Sequence, residues 1–278
     1  MSWPALPFLA AALFAAAPAT DKVRAERLAR GLEAQKQRIE KVRAKPEAFN
    51  LRSESPGVHF LFDAAGNCAV EERLGAVGDG GKWVCNAHKL AAQKDCVVYG
   101  FGAGSDISFE EAMASLGCEV HVFDPSPKPV ARFGELAKGK KVGTGSVTFH
   151  GIGLGPVSRE TDKAMKLEID GQKAEVRTLD ELAKALGHSH VDLLKMDIEG
   201  SEWATFDDLF KKDLLAKLGI KVLLAELHVK WGATPKDLID LVDGLSTRGF
   251  VLYRKEFNPW DAGACAEYAF AQKGFLLE

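Results

Sequence analysis

An α/β fold, with a doubly wound and mostly parallel sheet of seven strands and a C-terminal antiparallel hairpin, is predicted by three observations. Short apolar segments alternate along the chain with segments of helical periodicity. The apolar segments are continuous, which is typical of parallel strands that are covered on both faces. The last two segments leave no room for a helix between them, so they are expected to pair as a hairpin at the sheet edge.

The regular elements are predicted to begin near residue 96. The strands share short apolar cores and are expected at residues 96–99, 119–123, 146–150, 191–196, 220–225, 250–255 and 267–272. Helices are expected at residues 106–116, 179–186 and 235–245, and a further one begins near Ser201. A turn around Asn258 and Pro259 joins the last two strands. Residues 50–90 carry turn signals and no clear periodicity, so no regular element is predicted there.

The chain opens with an apolar run at residues 5–17, inside a predicted leader of residues 1–20. The run has the length of a signal-peptide core and is short for a membrane span. Ala17 and Ala19 are small residues at the spacing of a cleavage site. The sequence therefore predicts a secretory signal or a short membrane anchor, and a location in the secretory pathway. Because no Lys or Arg precedes the run, a disordered or organelle-targeting leader is the alternative.

Residues 21–46 are predicted to form a basic helical stalk that leads into a domain at residues 50–278. The segment has nine Lys or Arg residues against four Asp or Glu residues, and Pro46 ends the helix. Apolar side chains recur at heptad-like spacing, at Leu28, Leu32, Ile39 and Val42. We interpret the basic face as solvated surface. The formal net charge of the whole chain is −3, which gives no argument for nucleic-acid binding.

Five cysteines lie far apart in the sequence, and no Cys/His cluster indicates a zinc site. Buried or loop thiols are the preferred interpretation. One disulfide is the alternative in an oxidising compartment, with Cys68 and Cys85 as a candidate pair because both precede the regular fold. The odd number of cysteines leaves at least one thiol free.

A glycine-rich turn at Gly100, Gly102 and Gly104 follows the first strand. In a doubly wound sheet, ligands bind beyond the carboxyl ends of the strands where the strand order reverses, and glycine lets the backbone approach them. Asp124 ends the second strand, where its carboxylate can accept both ribose hydroxyls of an adenosine ligand. A plain tight turn and a helix cap are the structural alternatives. Ser105 replaces the third glycine of the dinucleotide fingerprint, which disfavours a nicotinamide-dependent oxidoreductase.

The segment Lys195-Met-Asp-Ile-Glu-Gly-Ser-Glu-Trp203 resembles the K-x-D-x-E-G-x-E signature of FkbM-type methyltransferases. Asp79-Gly-Gly-Lys-Trp-Val-Cys85 and Glu226-Leu-His228 are similar to elements of a group of secretory-pathway methyltransferase-like proteins. The resemblance covers residues 65–272. It implies a class I, Rossmann-like methyltransferase that uses S-adenosylmethionine and methylates a hydroxyl, with a small molecule or a glycan as the expected acceptor.

One position departs from the family pattern. Many class I methyltransferases carry an acidic residue before the glycines, and this chain has Tyr99 there. Tyr99 cannot hold the methionine amino group in the same way, so Asp106 is the candidate for a polar role near the turn. The departure keeps open a non-catalytic binding or scaffold module on the same fold.

The ends of the fourth and fifth strands supply Asp197, Glu226 and His228 as candidate catalytic residues. Neighbouring parallel strands end at one rim, so these side chains are expected to lie together, with Asp197 also at the cofactor site. A hydroxyl acceptor must lose its proton, and a positioned base contributes roughly 10²–10⁴-fold to such a step. The same ligand types could hold Mg²⁺ or Mn²⁺, an alternative that we do not favour.

Neighbouring side chains are given supporting roles. Glu202 is predicted to cap the helix that follows the fourth strand, whereas for Glu199 such a cap is the alternative to a role in the site. Lys195 lies inside a strand and is expected to be paired rather than catalytic. Lys82 and Trp83 precede the core, and they are predicted either to cover the site or to anchor the segment.

Overall fold

The computed structural model of the chain describes residues 21–45, 56–156, 165–169, 171–229, 233–258 and 264–277. The predicted leader at residues 1–20, with its apolar run, lies outside those ranges, as do Pro46 and Pro259. Within the described ranges, no helix is both long and apolar enough to cross a membrane.

Thirteen strands are formed by the described residues. In chain order they are β1 (Glu71–Leu74), β2 (Lys82–Cys85), β3 (Val97–Phe101), β4 (Glu119–Phe123), β5 (Lys140–Val142), β6 (Gly145–His150), β7 (Gly153–Leu154), β8 (Met165–Ile169), β9 (Gln172–Arg177), β10 (Leu193–Met196), β11 (Val222–His228), β12 (Phe250–Phe257) and β13 (Cys265–Gln272).

Nine α-helices accompany these strands in the described ranges. They are α1 (Asp21–Ala44), α2 (Ala87–Ala91), α3 (Ser108–Ser115), α4 (Pro127–Phe133), α5 (Leu179–Leu186), α6 (Glu202–Lys212), α7 (Leu214–Lys217), α8 (Pro235–Thr247) and α9 (Lys273–Leu277). Short 3₁₀ helices occur at Pro56–Leu61 and Gly134–Lys138.

The central sheet has the strand order β12-β13-β11-β10-β3-β4-β6-β5. The five inner strands, from β11 to β6, are parallel. β13 is antiparallel to both β11 and β12, which confirms the predicted hairpin at the sheet edge. The chain leaves β3 toward one edge of the sheet and leaves β10 toward the other. The boundary between β3 and β10 is therefore the switch point at which a ligand cleft is expected.

The sequence prediction of seven strands was wrong by one, because β5 adds an eighth strand at the edge beside β6. β5 is short, and Lys140 and Lys141 give it no apolar signal. The hairpin of β1 and β2 and the small sheet β7-β9-β8 were not predicted either. These strands are short or rich in charged residues, so tertiary pairing rather than local pattern determines them.

Two helical layers cover the two faces of the sheet, as the continuous apolar strands predict. Along β3, Tyr99 and Phe101 face the layer of α5 to α8, and Val98 faces the layer of α2, α3 and α9. Val97 lies on the same side as Tyr99, in keeping with the alternation of side chains along a strand. Full burial on both faces explains why these strands carry no polar alternation.

The predicted helices lie close to their expected bounds. α5 occupies the predicted residues, and α3 and α8 differ by one or two residues at their ends. At the start of α8, the Asp237 N–H donates to Thr234 Oγ1, and the Thr234 N–H donates to Asp237 Oδ2 at 2.7 Å. This reciprocal pair satisfies two backbone donors that a helix start would otherwise leave free.

The segment predicted as a stalk is a helix, but it packs on the domain. Leu28 is 1% exposed and Val42 is 1% exposed, so the heptad-like stripe faces the core. A Cβ atom at Gly31 would lie 1.8 Å from the carbonyl oxygen of Ala65, which explains a glycine inside this helix. Arg43 at its end forms ion pairs with α8. The stripe therefore contacts this domain instead of forming a coiled coil with another chain.

The described residues form two disulfides, Cys68–Cys85 and Cys96–Cys118, and the buried Cys265 belongs to neither. The candidate pair named from the sequence is found, but the preferred interpretation of unpaired thiols was wrong. The second pair joins residues that immediately precede β3 and β4. Val97 is paired with Glu119 in the sheet, so the parallel register itself brings these two cysteines together.

Candidate active site

The glycine-rich turn packs directly against the end of β10. Gly102 and Gly104 have φ angles of 85° and 50°, a region that favours glycine. A Cβ atom at Gly102 would lie 1.8 Å from the carbonyl oxygen of Asp197, so the close approach of the two strand ends requires glycine there. Gly100 lies earlier, inside β3, beneath Glu110 of α3.

Asp124 fixes the shape of this turn. Its Oδ2 accepts the N–H groups of Ala103 and Gly104 at 2.9 and 3.1 Å, and its Oδ1 accepts the N–H of Ser126 at 2.8 Å. The side chain is buried. A carboxylate accepts about four hydrogen bonds, so three backbone donors leave room for about one more. Asp124 therefore has the structural role in a turn that was the alternative to ligand binding. Its carboxylate has one hydrogen-bond acceptor position left, where two were expected to bind the ribose hydroxyls.

A cavity of about 320 Å³ opens beyond the carboxyl ends of β3 and β4. Its lining is mostly apolar and includes Phe123, Leu154, Val176 and Ile198, with Asp124 among its polar members. We call this space the apolar cavity. It lies where the strand order reverses, as the fold predicts for a ligand site.

A second cavity of about 210 Å³ adjoins the first, and we call it the polar cavity. Its charged lining residues are Asp79, Lys82, Asp106, Glu110, Lys195 and Asp197. Gly102 and Asp197 line both cavities, so the two spaces meet at the glycine turn. One elongated ligand with an apolar and a charged part would match this pair of spaces.

Asp106 forms part of the wall of the polar cavity and fixes the start of α3. Its Oδ1 accepts the N–H of Ser108 at 2.7 Å. A Cβ atom at Gly80 would lie 2.2 Å from Asp106 Oδ2, so the loop between β1 and β2 passes directly over this carboxylate. Ser108 Oγ accepts the N–H of Ala76 from the same loop at 2.7 Å. The hairpin therefore covers one side of the polar cavity.

The three candidate catalytic residues converge on one rim. Asp197 follows β10, and Glu226 and His228 lie in β11 beside it. Ligand-type atoms of Asp197, Glu199 and His228 lie within 4.8 Å of one another, and the same holds for Glu226, His228 and Cys265. The expected proximity is therefore observed around His228, whereas the catalytic roles stay predictions.

Comparison with known proteins identifies the family. A sequence family described as a methyltransferase domain (Methyltransf_22) matches residues 26–272, which is most of the chain. The chain belongs to this methyltransferase-domain family. The predicted methyltransferase-like family is thus confirmed, and the FkbM subtype indicated by residues 195–203 stays a prediction.

Two curated relatives are similar to part of this methyltransferase domain. Both are named "Probable methyltransferase-like protein 24". The Homo sapiens protein is 31% identical over 146 residues, and the Rattus norvegicus protein is 32% identical over 148 residues. Each match covers 52% of this chain and 36% of the relative, so the chain spans little more than a third of the relatives' length.

Solved structures with a similar arrangement include a Methanococcus jannaschii fibrillarin pre-rRNA processing protein. It has a TM-score of 0.41 and 12% identity, and the match covers 73% of this chain and 83% of that one. An rRNA methylase from Streptococcus thermophilus has a TM-score of 0.40 and 12% identity, over 67% and 93% of the two chains.

His228 is a cation in the folded methyltransferase domain at neutral pH. Burial alone would lower its pKa, but the hydrogen bond and charge of Glu202, with Glu226 and Asp197 nearby, raise the pKa to about 9. Its Nδ1 lies 3.0 Å from Glu202 Oε1, and its Nε2 lies 3.5 Å from Glu199 Oε2. A protonated imidazole cannot accept a proton or bind a metal ion. The predicted roles of base and of metal ligand would both require loss of this proton.

Glu226 is the stronger candidate for a base. Burial, and next the negative charge of Asp197, raise the pKa of its carboxyl group. Its Oε1 accepts hydrogen bonds from Asn258 Nδ2 and Cys265 Sγ, both at 2.8 Å. Both of these bonds end on the same oxygen, which fixes the carboxylate without using Oε2. A carboxylate with a raised pKa is a better proton acceptor at neutral pH.

Lys82 and Trp83 have different roles: Lys82 lies at the site, and Trp83 anchors the segment. The Lys82 ammonium is buried, contacts the Glu267 carboxylate and lines the polar cavity. Burial opposes its charge, but Glu267 raises the pKa of Lys82. Trp83 is an anchor, because its Nε1 donates to Glu256 at 2.9 Å and the Arg254 guanidinium lies 3.9 Å from the ring centroid.

Glu202 and Lys195 bond backbone groups beside the site, and Glu202, predicted to cap α6, bonds the turn that precedes this helix. Glu202 is fully buried at the start of α6, and its carboxylate accepts the N–H groups of Ile198 and Gly200 at 2.9 and 2.8 Å. Lys195 Nζ donates to the carbonyl oxygen of Gly102 at 2.5 Å. Glu199, by contrast, is exposed in an unfavourable left-handed conformation with a φ angle of 52°.

Three residues of the site, Glu110, Glu267 and Asn258, were not predicted from the sequence. Glu267 lies directly opposite Glu226 in the pairing of β11 with β13, so the predicted hairpin register could have found it. Asn258 follows β12, and its contact with Glu226 depends on the pairing of the hairpin with β11. Glu110 carried no signal, because a glutamate in an amphipathic helix is ordinarily a solvent-facing residue.

Proposed function

We propose that this chain is an S-adenosylmethionine-dependent O-methyltransferase. The observation that carries the proposal is the apolar cavity adjoining the polar cavity at the switch point of the sheet. S-adenosylmethionine has an apolar adenine at one end and a charged amino acid at the other, which match the two linings. Membership of the methyltransferase-domain family supports the same ligand.

The residues present fit this cofactor. The glycine turn brings backbone to the boundary of both cavities, because Gly102 has no Cβ that would collide with the Asp197 carbonyl oxygen. Phe123 and Ile198 would contact the adenine, and Asp124 would accept a ribose hydroxyl through its remaining acceptor position. The polar cavity would hold the amino-acid end. The bound cofactor would supply a methyl group activated on a sulfonium.

We assign the protein's chemical contribution to alignment and proton removal. Alignment of a nucleophile can lower a barrier by about 7–11 kcal/mol. Glu226 would accept the proton of the hydroxyl as the hydroxyl oxygen bonds to the methyl carbon and the carbon–sulfur bond breaks. The positive charge of His228 would offset the repulsion between the neighbouring carboxylates at this rim. A metal ion is not required for this step and remains the less favoured alternative.

We propose a small molecule or a glycan as the acceptor, in the secretory pathway. The two disulfides support that location, because disulfides persist in oxidising compartments. An acidic rim containing Asp197, Glu199 and Glu226 would repel a polyanion, which supports an acceptor other than a nucleic acid. A tether through residues 5–17 is part of the same proposal.

Calorimetric titration of S-adenosylhomocysteine into the full chain tests the cofactor assignment. The wild-type chain should bind, and Gly102→Ala should weaken binding at least tenfold because the added Cβ collides with the Asp197 backbone. Gly187→Ala is the matched control: it has a similar φ of 77°, and a Cβ there meets no described atom within 4 Å.

Absence of S-adenosylhomocysteine binding to the wild-type chain would refute the proposal. A thermal shift with NAD in place of S-adenosylhomocysteine would point instead to a nicotinamide enzyme. Cofactor binding without methyl transfer to any compound in a panel of sugars and small alcohols would favour the non-catalytic binding module.

A further inference from the structure

Glu110 of α3 places a carboxylate over the first strand, next to the position where the family's acidic residue is missing. A Cβ atom at Gly100 would lie 2.5 Å from Glu110 Oε1 and 3.1 Å from its Cγ. An acidic side chain on residue 100 would therefore occupy the space that Glu110 fills from the neighbouring helix. The absence of a side chain at Gly100 is what admits the glutamate.

Tyr99 is directed away from this space. It packs in the opposite helical layer, and its hydroxyl lies 2.7 Å from His188 Nδ1. Glu110 instead lines the polar cavity, together with Gly102 and Lys195. The polar cavity therefore has a carboxylate beside the first strand that is delivered by a helix and does not depend on the residue at position 99.

Glu110 is buried without a full set of partners. Its side chain is 2% exposed, and among the described residues Oε1 has no hydrogen-bond partner. The nearest cation is Lys195, whose Nζ lies 3.9 Å from Oε1, too far for a hydrogen bond. Lys195 Nζ donates a hydrogen bond to the Gly102 carbonyl oxygen instead. A buried carboxylate oxygen in this state can accept a donor from a ligand in the cavity.

The charge of the cavity wall favours a cationic donor. Four carboxylates, those of Asp79, Asp106, Glu110 and Asp197, line the polar cavity with two lysines. Burial raises the pKa of Glu110, and the Lys195 charge opposes the rise, so a further cation would favour the ionised form.

We propose that Glu110 binds the α-ammonium group of the methionyl part of S-adenosylmethionine, in place of an acidic residue on the first strand. This inference rests on the proposed function. It makes Glu110 a cofactor-binding residue, and it removes the main reason to regard the site as defective.

The test compares two ligands that differ only in the amino group: S-adenosylhomocysteine and its deamino analogue. Calorimetry on the full chain should show about tenfold or greater preference of the wild type for S-adenosylhomocysteine, as expected for a charge-assisted hydrogen bond. Glu110→Gln should bring the ratio of the two dissociation constants close to one. Binding of the deamino analogue should stay within about twofold of wild type, since its ammonium contact is absent in both proteins.

Glu111→Gln is the matched control, because Glu111 is the adjacent residue, is exposed, and pairs only loosely with Lys140 at 3.4 Å. It should keep the wild-type ratio. An unchanged ratio in Glu110→Gln would overturn the inference while leaving cofactor binding intact. If the wild type binds neither ligand, the proposed function fails instead. If Glu110→Gln unfolds, Glu110→Asp replaces it in the test. This variant keeps the negative charge but shortens the side chain by one methylene, so its preference for S-adenosylhomocysteine over the deamino analogue must also fall.

Discussion

Glu202 Oε1 and His228 Nδ1 lie 3.0 Å apart in a buried pair that links the turn after β10 to the end of β11. The Glu202 carboxylate raises the pKa of His228. The Glu202 carboxylate also accepts the backbone N–H groups of Ile198 and Gly200, so it stabilises the turn as well as the histidine. Stability and site geometry therefore depend on the same carboxylate.

The first prediction concerns pH. The folded pKa of His228 is raised to about 9 from 6.5, so its stabilising contribution is complete below about pH 6.5 and is lost as pH rises through 9. We expect that contribution to the free energy of unfolding to be about 2–3 kcal/mol. Urea denaturation of wild type and His228→Gln between pH 6 and 10 measures it. The stability difference between the proteins should shrink as pH rises, and a constant difference would contradict the assignment.

The second prediction concerns Asp124. Asp124→Ala removes the acceptor of three backbone N–H groups, so it should lower the free energy of unfolding by about 2–4 kcal/mol as well as abolish S-adenosylhomocysteine binding. Ser126→Ala keeps the backbone donor and should change neither quantity appreciably. Loss of binding with unchanged stability would show that Asp124 contacts only the ligand. Chemical denaturation and calorimetry on the same samples separate the two effects.

The third prediction concerns α1. Leu28→Ala should cost about 2–4 kcal/mol of unfolding free energy, because this side chain is 1% exposed against the core. Val23→Ala, on the same helix with an exposure of 38%, should cost less than about 0.5 kcal/mol. If both substitutions are equally mild in denaturant titrations, the helix stands apart from the domain as a stalk.

The fourth prediction concerns the disulfides. Peptide mapping without reduction should recover Cys68 linked to Cys85 and Cys96 linked to Cys118, with the Cys265 thiol alkylated only after unfolding. Paired substitution of Cys96 and Cys118 by Ala should lower stability by about 3 kcal/mol, since the bridge closes a loop of 22 residues. Any other linkage in the map would refute the pairing.

The fifth prediction concerns the base. With an acceptor identified from a panel, Glu226→Gln should reduce kcat by roughly 10²–10⁴-fold and leave S-adenosylhomocysteine affinity unchanged. Glu256→Gln, a change of the same chemistry on the neighbouring hairpin, should retain near wild-type kcat. A Glu226→Gln enzyme with an ordinary kcat would move the base role to another group.

The buried strands and the glycine turn were predictable because parallel strands covered on both faces leave a strong apolar pattern. β5 and β1 were not, because their charged residues pair only through the fold. The site was predictable where residues follow strand ends, as at Asp197 and Asp124. Glu110 was beyond reach, since it projects from a helix, whereas Glu267 could have been found from the register of the predicted hairpin.

The Cys96–Cys118 bridge lies at the amino ends of β3 and β4, whereas the cavities lie at their carboxyl ends. Five residues of parallel strand span roughly 16 Å, so thiol chemistry at the bridge takes place far from the ligand. A protein that lacks only this bridge would have a weakened amino-terminal edge of the sheet and an intact ligand rim. A poor yield of that protein would therefore say nothing about its chemistry.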